Sequence, residues 1–208
     1  MKVLVFDAET TGFPDYRREY SAGVQPHLVE LAAELLEVPP NPDEATMIDG
    51  LDELLELPHG VKVPDQALAV HGISEFDCLV QGLPPRTVLL RWAALERAAD
   101  VVVSFNMQFD AFILRTAFFR AKQVLPEDLA EKQIVCAMVS SARVMQLKFP
   151  KGGTGKFPNL EEAHEHFLGE PFVRSEHRAI QDVRATRKVF LELVRRGHVQ
   201  LTGRKPRP

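Results

Sequence analysis

The chain has 208 residues, of which 45% are hydrophobic and 26% are charged. This composition suits one globular domain with a sizeable buried core, and it excludes a chain that is disordered throughout. The formal net charge of −4 argues against a protein that coats nucleic acid by electrostatics alone, because such a protein needs an excess of positive charge.

The cysteines and the N-terminal segment bear on the compartment. Cys78 and Cys136 lie far apart and form no CxxC pair, so they indicate neither a zinc motif nor a disulfide framework. A reducing, cytoplasmic setting is the simpler expectation. The opening MKVLVFDAETTG runs from a short apolar segment directly into acids, unlike a signal peptide. No stretch reaches the roughly 18 apolar residues that span a bilayer, so we expect no membrane association.

The first half of the chain has the pattern of strands. Residues 3–6 form an unbroken apolar run, which predicts a central strand buried on both faces. Residues 28–38 alternate enough for a second strand, although alone they could be helical. A proline-rich turn follows, and residues 46–57 form the predicted hairpin partner.

The second half alternates helices with one further strand, which we predict at residues 101–105. Helical spacing recurs on both sides of it, and we predict helices over residues 86–99, 108–121, 134–147, 160–168 and 178–196. Gly197 is suited to end the last of them. Strands that cluster first and then alternate with helices predict an α/β arrangement, with a mixed sheet covered on both faces.

Two acids, Asp7 and Glu9, follow the first predicted strand. At i and i+2 on a strand their carboxylates point to the same side, while Ala8 points to the other. Two carboxylates about 4 Å apart repel by on the order of 4 kcal/mol at an effective dielectric constant of 20. A divalent cation offsets this repulsion, and oxygen ligands suit Mg²⁺ or Mn²⁺. Alone, such a pair is more often two acids in a solvated turn.

Asp110 follows the strand at 101–105, at its junction with a helix. Ligands of open α/β sheets bind beyond the carboxyl ends of the strands, so Asp110 could share one crevice with Asp7 and Glu9. Asn106 could hydrogen-bond a sugar or orient the site, and its alternative role is to cap the following helix.

His177 precedes Asp182 by five residues, or about 500° of helix, so the two side chains would not share a helical face. The spacing suits a shared site if His177 lies just before the helix and reaches back. A histidine titrates near neutrality and can take a proton from water. A lone histidine, however, is more often a surface or capping residue.

Together, three segments carry a family resemblance. In chain order, FDAETTGF, SFNMQFDAFIL and HRAIQDVRAT resemble the three motifs of the DEDDh exonucleases. This family is also called DnaQ-like, and it includes the proofreading subunit of bacterial DNA polymerase III and stand-alone phage and bacterial members. The segment 68–74, LAVHGIS, resembles the family's His-Gly-Ile-Thr segment with serine in place of threonine. The resemblance covers residues 1–196.

The resemblance implies an RNase H-like α/β fold, whose mixed sheet has about five strands, one of them antiparallel, with helices on both faces. Residues 1–197 would form the exonuclease domain, and residues 198–208 a basic tail that we predict to be disordered.

The resemblance also implies two divalent metal ions, Mg²⁺ or Mn²⁺. Asp7, Glu9 and Asp182 would hold one ion, Asp7 and Asp110 would hold the second, and His177 would be the general base. The residues expected to bind the terminal nucleotide are Ala8, Thr10, Thr11, His71, Asn106 and Phe109.

The resulting prediction is a 3′-5′ exonuclease that releases nucleoside 5′-monophosphates from single-stranded or frayed ends, in proofreading, repair or DNA turnover. DNA is favoured as substrate because the relatives that look most similar are proofreading-type and phage enzymes, and a DNA polymerase is a candidate partner. An exoribonuclease of the oligoribonuclease type is the alternative. A non-catalytic polymerase-accessory module would predict loss of the acids, and all four are present.

Two basic segments leave alternatives open. After Asp182 the chain carries eight arginines and lysines against one acid, which predicts either a phosphate track or a solvated helix face with a disordered tail. The glycine-rich loop 148–158 resembles a phosphate loop only in part, because Pro150 and Phe157 replace two of its defining residues. It is either a mobile, substrate-facing loop or a plain surface turn.

Overall fold

The computed structural model describes residues 1–126, 131–149, 153–172 and 178–202. Within these ranges the strands are β1 (Lys2–Thr10), β2 (Leu28–Glu37), β3 (Thr46–Leu54), β4 (Val101–Ser104) and β5 (Gln133–Cys136). The α-helices are α1 (Asp65–His71), α2 (Glu75–Gln81), α3 (Pro85–Ala98), α4 (Met107–Arg120), α5 (Ala137–Met145), α6 (Leu160–Leu168) and α7 (Ala179–Arg195). No helix among the described residues has the length and apolar character needed to cross a membrane.

The five strands form one sheet in the order β3-β2-β1-β4-β5. β2 is antiparallel to both β1 and β3, whereas β1, β4 and β5 are parallel to one another. Parallel neighbours need long crossover connections, which the helices between them supply. The predicted mixed sheet with a single antiparallel strand is therefore confirmed.

Alternate residues of β1 bury two separate cores. Val3 and Val5 face a core with α5, α6 and α7, while Leu4 and Phe6 face a core with α3 and α4. All four side chains are at most 1% exposed, which explains the unbroken apolar run in the sequence. In the second core the ring of Trp92 lies edge-to-face with Phe6, with centroids 5.4 Å apart.

β5 occupies the start of the helix that we predicted over residues 134–147, and that prediction is wrong in its first part. Only Val135 of the strand is buried, so the local pattern carries little strand signal. The conformation comes from parallel pairing with β4, in a register that runs from Val101↔Gln133 to Ser104↔Cys136. Such tertiary pairing overrides local preference, and the helix begins at Ala137.

Helices α1 and α2 fill a stretch in which the sequence pattern indicated no element. Each has seven residues, which is too short for a clear helical periodicity. Ser74 begins α2 with a reciprocal capping box, in which its side chain accepts from the backbone of Asp77 and the Asp77 carboxylate accepts from Ser74. His71, the last residue of α1, is buried.

The residues after α7 continue to pack against the sheet as far as the structure describes them. Val199 is 9% exposed, and the backbone N–H of Thr202 donates to the Gln133 side chain at 2.8 Å. The predicted disordered tail began at residue 198, whereas this packing extends to Thr202. Residues 203–208 lie outside the described residues.

Candidate active site

At one end, β1 extends past its parallel neighbour. β4 pairs with β1 only from Val3 to Val5 and then leads into α4, whereas β1 continues to Thr10. Asp7 and Glu9 lie on this extension, where β1 pairs with β2 alone. A crevice therefore opens at the carboxyl ends of β1 and β4. The strand order reverses at this point, which is where open α/β sheets bind their ligands.

Three carboxylates meet in this crevice. Asp7 and Glu9 come from β1, and Asp182 is the fourth residue of α7. One oxygen from each of the three lies within 4.8 Å of the others. α7 packs on the face of the sheet to which Val3 and Val5 point, and the alternation of the strand places Asp7 and Glu9 on this same face.

Asp110 reaches the crevice from the opposite face of the sheet, because α4 belongs to the other core. Its side chain is 2% exposed. Burial raises the pKa of Asp110 from 3.8 to about 7, a hydrogen bond from Ser104 opposes the rise, and the charge of Asp182 adds to it. Without a cation this carboxyl therefore holds a proton near neutrality, and a bound cation would favour the ionised form.

A buried acid on β2 fixes the start of α7. Glu30 is the cross-strand neighbour of Glu9 and is fully buried. It accepts a 2.7 Å hydrogen bond from Nε of Arg178 and a 2.8 Å bond from the backbone N–H of Ala179, the first residue of the helix. A carboxylate at a helix N-terminus is favourable. The contact holds Asp182, one turn further on, towards the carboxylates of β1.

The basic side chains of α7 contact acids. Arg184 and Arg187 lie 3.4 and 2.6 Å from the carboxylate of Glu34, which is buried on β2. Arg195 and Arg196 each pair with a glutamate of their own helix. These four arginines share two carboxylates, those of Glu34 and Glu192, so about half of their charge is offset and both alternatives for this basic segment stay open.

A pocket of about 710 Å³ adjoins the carboxylates. Asp7, Glu9, Asp110 and Asp182 line it, so all four predicted acids share one cavity. The pocket is also lined by every residue predicted to contact the terminal nucleotide, namely Ala8, Thr10, Thr11, His71, Asn106 and Phe109. Its volume lies within the range of pockets that enclose small organic ligands.

Several of these residues hold the wall of the pocket in place. Nδ1 of His71 accepts from the backbone N–H of Ile73 at 3.0 Å, so Nε2 carries the proton and donates to the carbonyl of Thr10 at 3.2 Å. The hydroxyl of Thr11 accepts from the backbone N–H of His27 at 2.9 Å. The segment that follows β1 is thus fixed before any ligand binds.

Asn106 occupies the N-cap position of α4 without a side-chain capping bond, so the capping alternative is not realised. The lining residues that sequence reasoning missed include Phe13, Phe157 and Glu161. Phe13 is 93% exposed. An aromatic residue that directly follows the Thr-Thr-Gly turn was the available signal, because it lies beyond the strand that could have buried it.

His177, the predicted general base, lies outside the described residues. Helix α7 begins at Ala179, one residue after the predicted start. The loop 148–158 is described only in part, because residues 150–152 also lie outside. Within the described part, Lys156 pairs with Glu162 of α6 at 2.5 Å.

Solved structures share this fold at low sequence identity. E. coli exonuclease I in complex with a dT13 oligonucleotide superposes with a TM-score of 0.68 at 16% identity, over 92% of this chain and 40% of that chain. A zinc-bound form of the E. coli exonuclease I–ssDNA complex gives 0.70 at 16%, over 94% and 40%. The nuclease domain of 3′hExo, a DEDDh family member bound to rAMP, gives 0.68 at 11%, over 98% and 96%. The chain spans about two fifths of the exonuclease I chains.

These likenesses confirm the predicted RNase H-like architecture. No curated protein matched the sequence. The family model RNase_T, described as exonuclease, matches residues 4–190, and the chain therefore belongs to this exonuclease family. The predicted resemblance to DEDDh exonucleases is thereby confirmed.

Proposed function

We propose that this protein is a metal-dependent 3′-5′ exonuclease that removes one nucleotide at a time and releases nucleoside 5′-monophosphates. The observation that carries the proposal is the meeting of Asp7, Glu9 and Asp182 within 4.8 Å beside a pocket of about 710 Å³. Asp110 lines the same pocket from the other face of the sheet. The exonuclease family of the chain supports the proposal.

The donor set fits hard divalent cations. The ligand atoms are carboxylate oxygens, which Mg²⁺ and Mn²⁺ prefer, and a cation offsets the mutual repulsion of acids placed this close. Asp7, Glu9 and Asp182 would hold one ion, and Asp7 and Asp110 the second. The raised pKa of Asp110 supports the second position, because a cation beside that carboxyl would keep it ionised.

The proposed reaction is in-line hydrolysis of the last phosphodiester. When bound, the two ions supply the positive charge that the attacking and departing oxygens require. His177 takes the proton of the attacking water. The new bond joins the water oxygen to phosphorus, and the bond between phosphorus and the 3′ oxygen of the preceding nucleotide breaks. That oxygen then takes a proton from solvent, so the shortened strand ends in a 3′ hydroxyl.

We infer that the pocket restricts the reaction to strand ends. Phe13, Phe109 and Phe157 line it from three separate segments, and each offers an apolar ring to the terminal base. A strand end would place its last nucleotide in this cavity, whereas an internal nucleotide would require the strand to enter the cavity and leave it again. Single-stranded or frayed ends are favoured, since a paired terminal base must first leave its stack.

We infer DNA as the preferred substrate, with proofreading, repair or DNA turnover as the role and a DNA polymerase as a candidate partner. Structural neighbours with bound oligodeoxynucleotides support this choice. An exoribonuclease of the oligoribonuclease type is the second candidate, and the rAMP-bound neighbour favours it. A non-catalytic module is disfavoured by four acids that line a single pocket.

The test uses 5′-labelled single-stranded DNA and RNA of one sequence, incubated with Mg²⁺ or Mn²⁺ beside the Asp7→Asn protein. We expect a ladder that shortens from the 3′ end in the wild type, and its loss in the variant or with EDTA. Equal action of the two proteins would overturn the proposal. The ratio of DNA to RNA rates decides between the two candidates, and duplexes with paired or mismatched 3′ ends test the proofreading role.

A further inference from the structure

Exposed aromatic residues lead away from the pocket along α4. We call Phe13, Tyr16 and Tyr20 the aromatic strip. Each lies edge-to-face with a phenylalanine of α4, at centroid distances of 6.3 Å for Phe13–Phe109, 5.2 Å for Tyr16–Phe112 and 6.0 Å for Tyr20–Phe119. The loop that carries the strip therefore follows the helix from its first turn to its last.

The strip keeps much of its ring surface in solvent. Phe13 is 93% exposed, Tyr16 48% and Tyr20 37%. Contiguous exposed apolar surface marks interaction sites, and these three rings form one row along α4. Phe13 also lines the pocket, so the strip begins where the terminal nucleotide would bind.

The loop under the strip is held in one conformation. The side chain of Gln25 is buried; it donates to the carbonyls of Asp15 and Glu19 at 3.0 and 3.1 Å and accepts from the backbone N–H of Asp15 at 3.0 Å. Arg120 of α4 donates to the carbonyls of Gln25 and Pro26 at 2.5 and 2.7 Å. A ligand on the strip would therefore not have to order the loop.

The length of the strip corresponds to several nucleotides. Phe109 and Phe119 are ten residues apart on α4, which is about 15 Å of helix. A stacked strand rises about 3.4 Å per nucleotide, so the strip can follow about four nucleotides beyond the one in the pocket.

Positive charge accompanies the rings. The side chains of Arg17 and Arg18 are 92% and 61% exposed, and their ion pairs with Asp15, at 3.2 and 3.4 Å, lie at the surface, where such pairs contribute little. The guanidinium of Arg115 lies 5.9 Å from the ring centre of Tyr20. These arginines differ from Arg184 and Arg187 of α7, which contact a buried acid.

We propose that the aromatic strip binds the single strand upstream of the terminal nucleotide, and this rests on the proposed nuclease function. Bases stack on Tyr16 and Tyr20, while Arg17, Arg18 and Arg115 contact the phosphates. The occupant is an unpaired strand, because base-paired nucleotides do not offer their faces to a protein ring. Stacking tolerates every base, so the strip should increase affinity for the strand without sequence preference.

The test measures binding as a function of strand length. The probes are labelled oligo(dT) strands of 2, 4, 6, 8 and 12 nucleotides, and the protein carries Asp7→Asn so that it does not cut. We expect affinity to rise up to about five or six nucleotides and then to level off. Tyr16→Leu with Tyr20→Leu should remove most of that rise, with a loss of 10- to 100-fold at six nucleotides and little loss at two.

Matched variants separate stacking from folding. Tyr16→Phe with Tyr20→Phe keeps the rings and should keep the affinity. Phe76→Leu replaces an exposed aromatic residue of α2, off the strip, and should change nothing. Arg17→Gln with Arg18→Gln removes two phosphate contacts and should lower the slope of the salt dependence for long single strands by about 1.4. Thermal unfolding of each variant shows that it folds.

The outcomes distinguish the strip from the nuclease proposal. If affinity depends on strand length equally with the wild-type strip and with the double leucine variant, the strip proposal is overturned. Cleavage by the protein with Asp7 intact would still support the nuclease proposal. If the double leucine variant loses affinity equally at all strand lengths, including two nucleotides, the strip proposal is also overturned, because the substitutions would then act on the pocket. If no oligonucleotide is ever cleaved, the nuclease proposal fails, and the binding series still reports on the strip.

Discussion

At the scale of one residue, we expect Asp110 to couple proton binding to cation binding. Its burial between α4 and the sheet raises the pKa to about 7, so in the cation-free protein the carboxyl is largely neutral at pH 6. A cation can bind there only when the proton leaves. The folded pKa lies above the ordinary value of 3.8, so the free energy of unfolding of the cation-free protein should fall as pH rises from about 4 to about 7.

The expected result is a pH-dependent release of protons on metal binding. Titration with Mn²⁺ at pH 6, in calorimetry buffers of different ionisation enthalpy, should release close to one proton from Asp110, and titration at pH 8.5 should release far less. Asp110→Asn should abolish the difference and slow hydrolysis by more than about 100-fold, since even partners that only orient metal ligands are worth 10- to 100-fold. Equal release at both pH values would contradict the assignment.

The four acids that line the pocket could be found from the sequence, whereas their supporting residues could not. Asp7, Glu9, Asp110 and Asp182 follow a motif order that is visible in one dimension. Glu30 stands in the segment LVELAAELLEV among apolar residues, and its partner Arg178 is 148 positions away. Nothing local distinguishes such an acid from a solvated one, because its role comes from the packing of α7 on β2.

At the scale of elements, Glu30→Gln tests how α7 is held over the site. Removing one partner of a buried ion pair costs about 3–5 kcal/mol of unfolding free energy, and the 34% exposure of the Arg178 side chain places the expected loss below that range. Glutamine keeps the volume of the side chain but loses the charge-assisted bonds to Arg178 and to the N–H of Ala179. Because Asp182 lies one turn beyond this contact, kcat should fall by about 10- to 100-fold when its carboxylate shifts by an ångström or less.

Glu34→Gln is the matched control for that prediction. Glu34 is also buried on β2 and pairs with Arg184 and Arg187 of the same helix, but its contacts lie beyond Asp182 along the helix, away from the N-terminus. Glu34→Gln should lower the free energy of unfolding about as much as Glu30→Gln does, but it should reduce kcat less. Urea unfolding and kcat measured on both variants decide the matter. Equal loss of kcat at equal stability would mean that Glu30 supports only the fold.

The elements differed in how far the sequence revealed them. α7 was found because its 17 residues show several turns of apolar spacing, and β1 because it is apolar on both faces. The local pattern at β5 predicts a helix. Its four residues are nevertheless a strand, because their conformation comes from pairing with β4. α1 and α2 were missed, since one or two turns carry no period that a pattern can show.

At the scale of the whole molecule, the site depends on two cores at once. Asp110 is carried by a helix of one core and Asp182 by a helix of the other, and β1 with Asp7 and Glu9 lies between them. The packed cores hold together acids that repel one another, so the cation-free site opposes folding and a bound cation should relieve that cost.

Thermal unfolding with and without cations measures this relief. At a free cation concentration 100 times the dissociation constant, each occupied site should add about 2.7 kcal/mol, so Mn²⁺ should raise the midpoint and EDTA should reverse the rise. Without cations, Asp7→Asn should be at least as stable as the wild type, and it should respond much less to Mn²⁺. Equal rises in both proteins would show that the cations bind elsewhere.

The order of the acids along the chain has a consequence for synthesis. Asp7 and Glu9 leave the ribosome before Asp110, and Asp182 emerges last of the four acids, with α7. Domains fold as their segments become available, so a growing chain can complete the sheet and its α3–α4 face while the cluster still lacks one carboxylate. The proposed nuclease should therefore be inactive until α7 has been synthesised and has docked on β1 and β2.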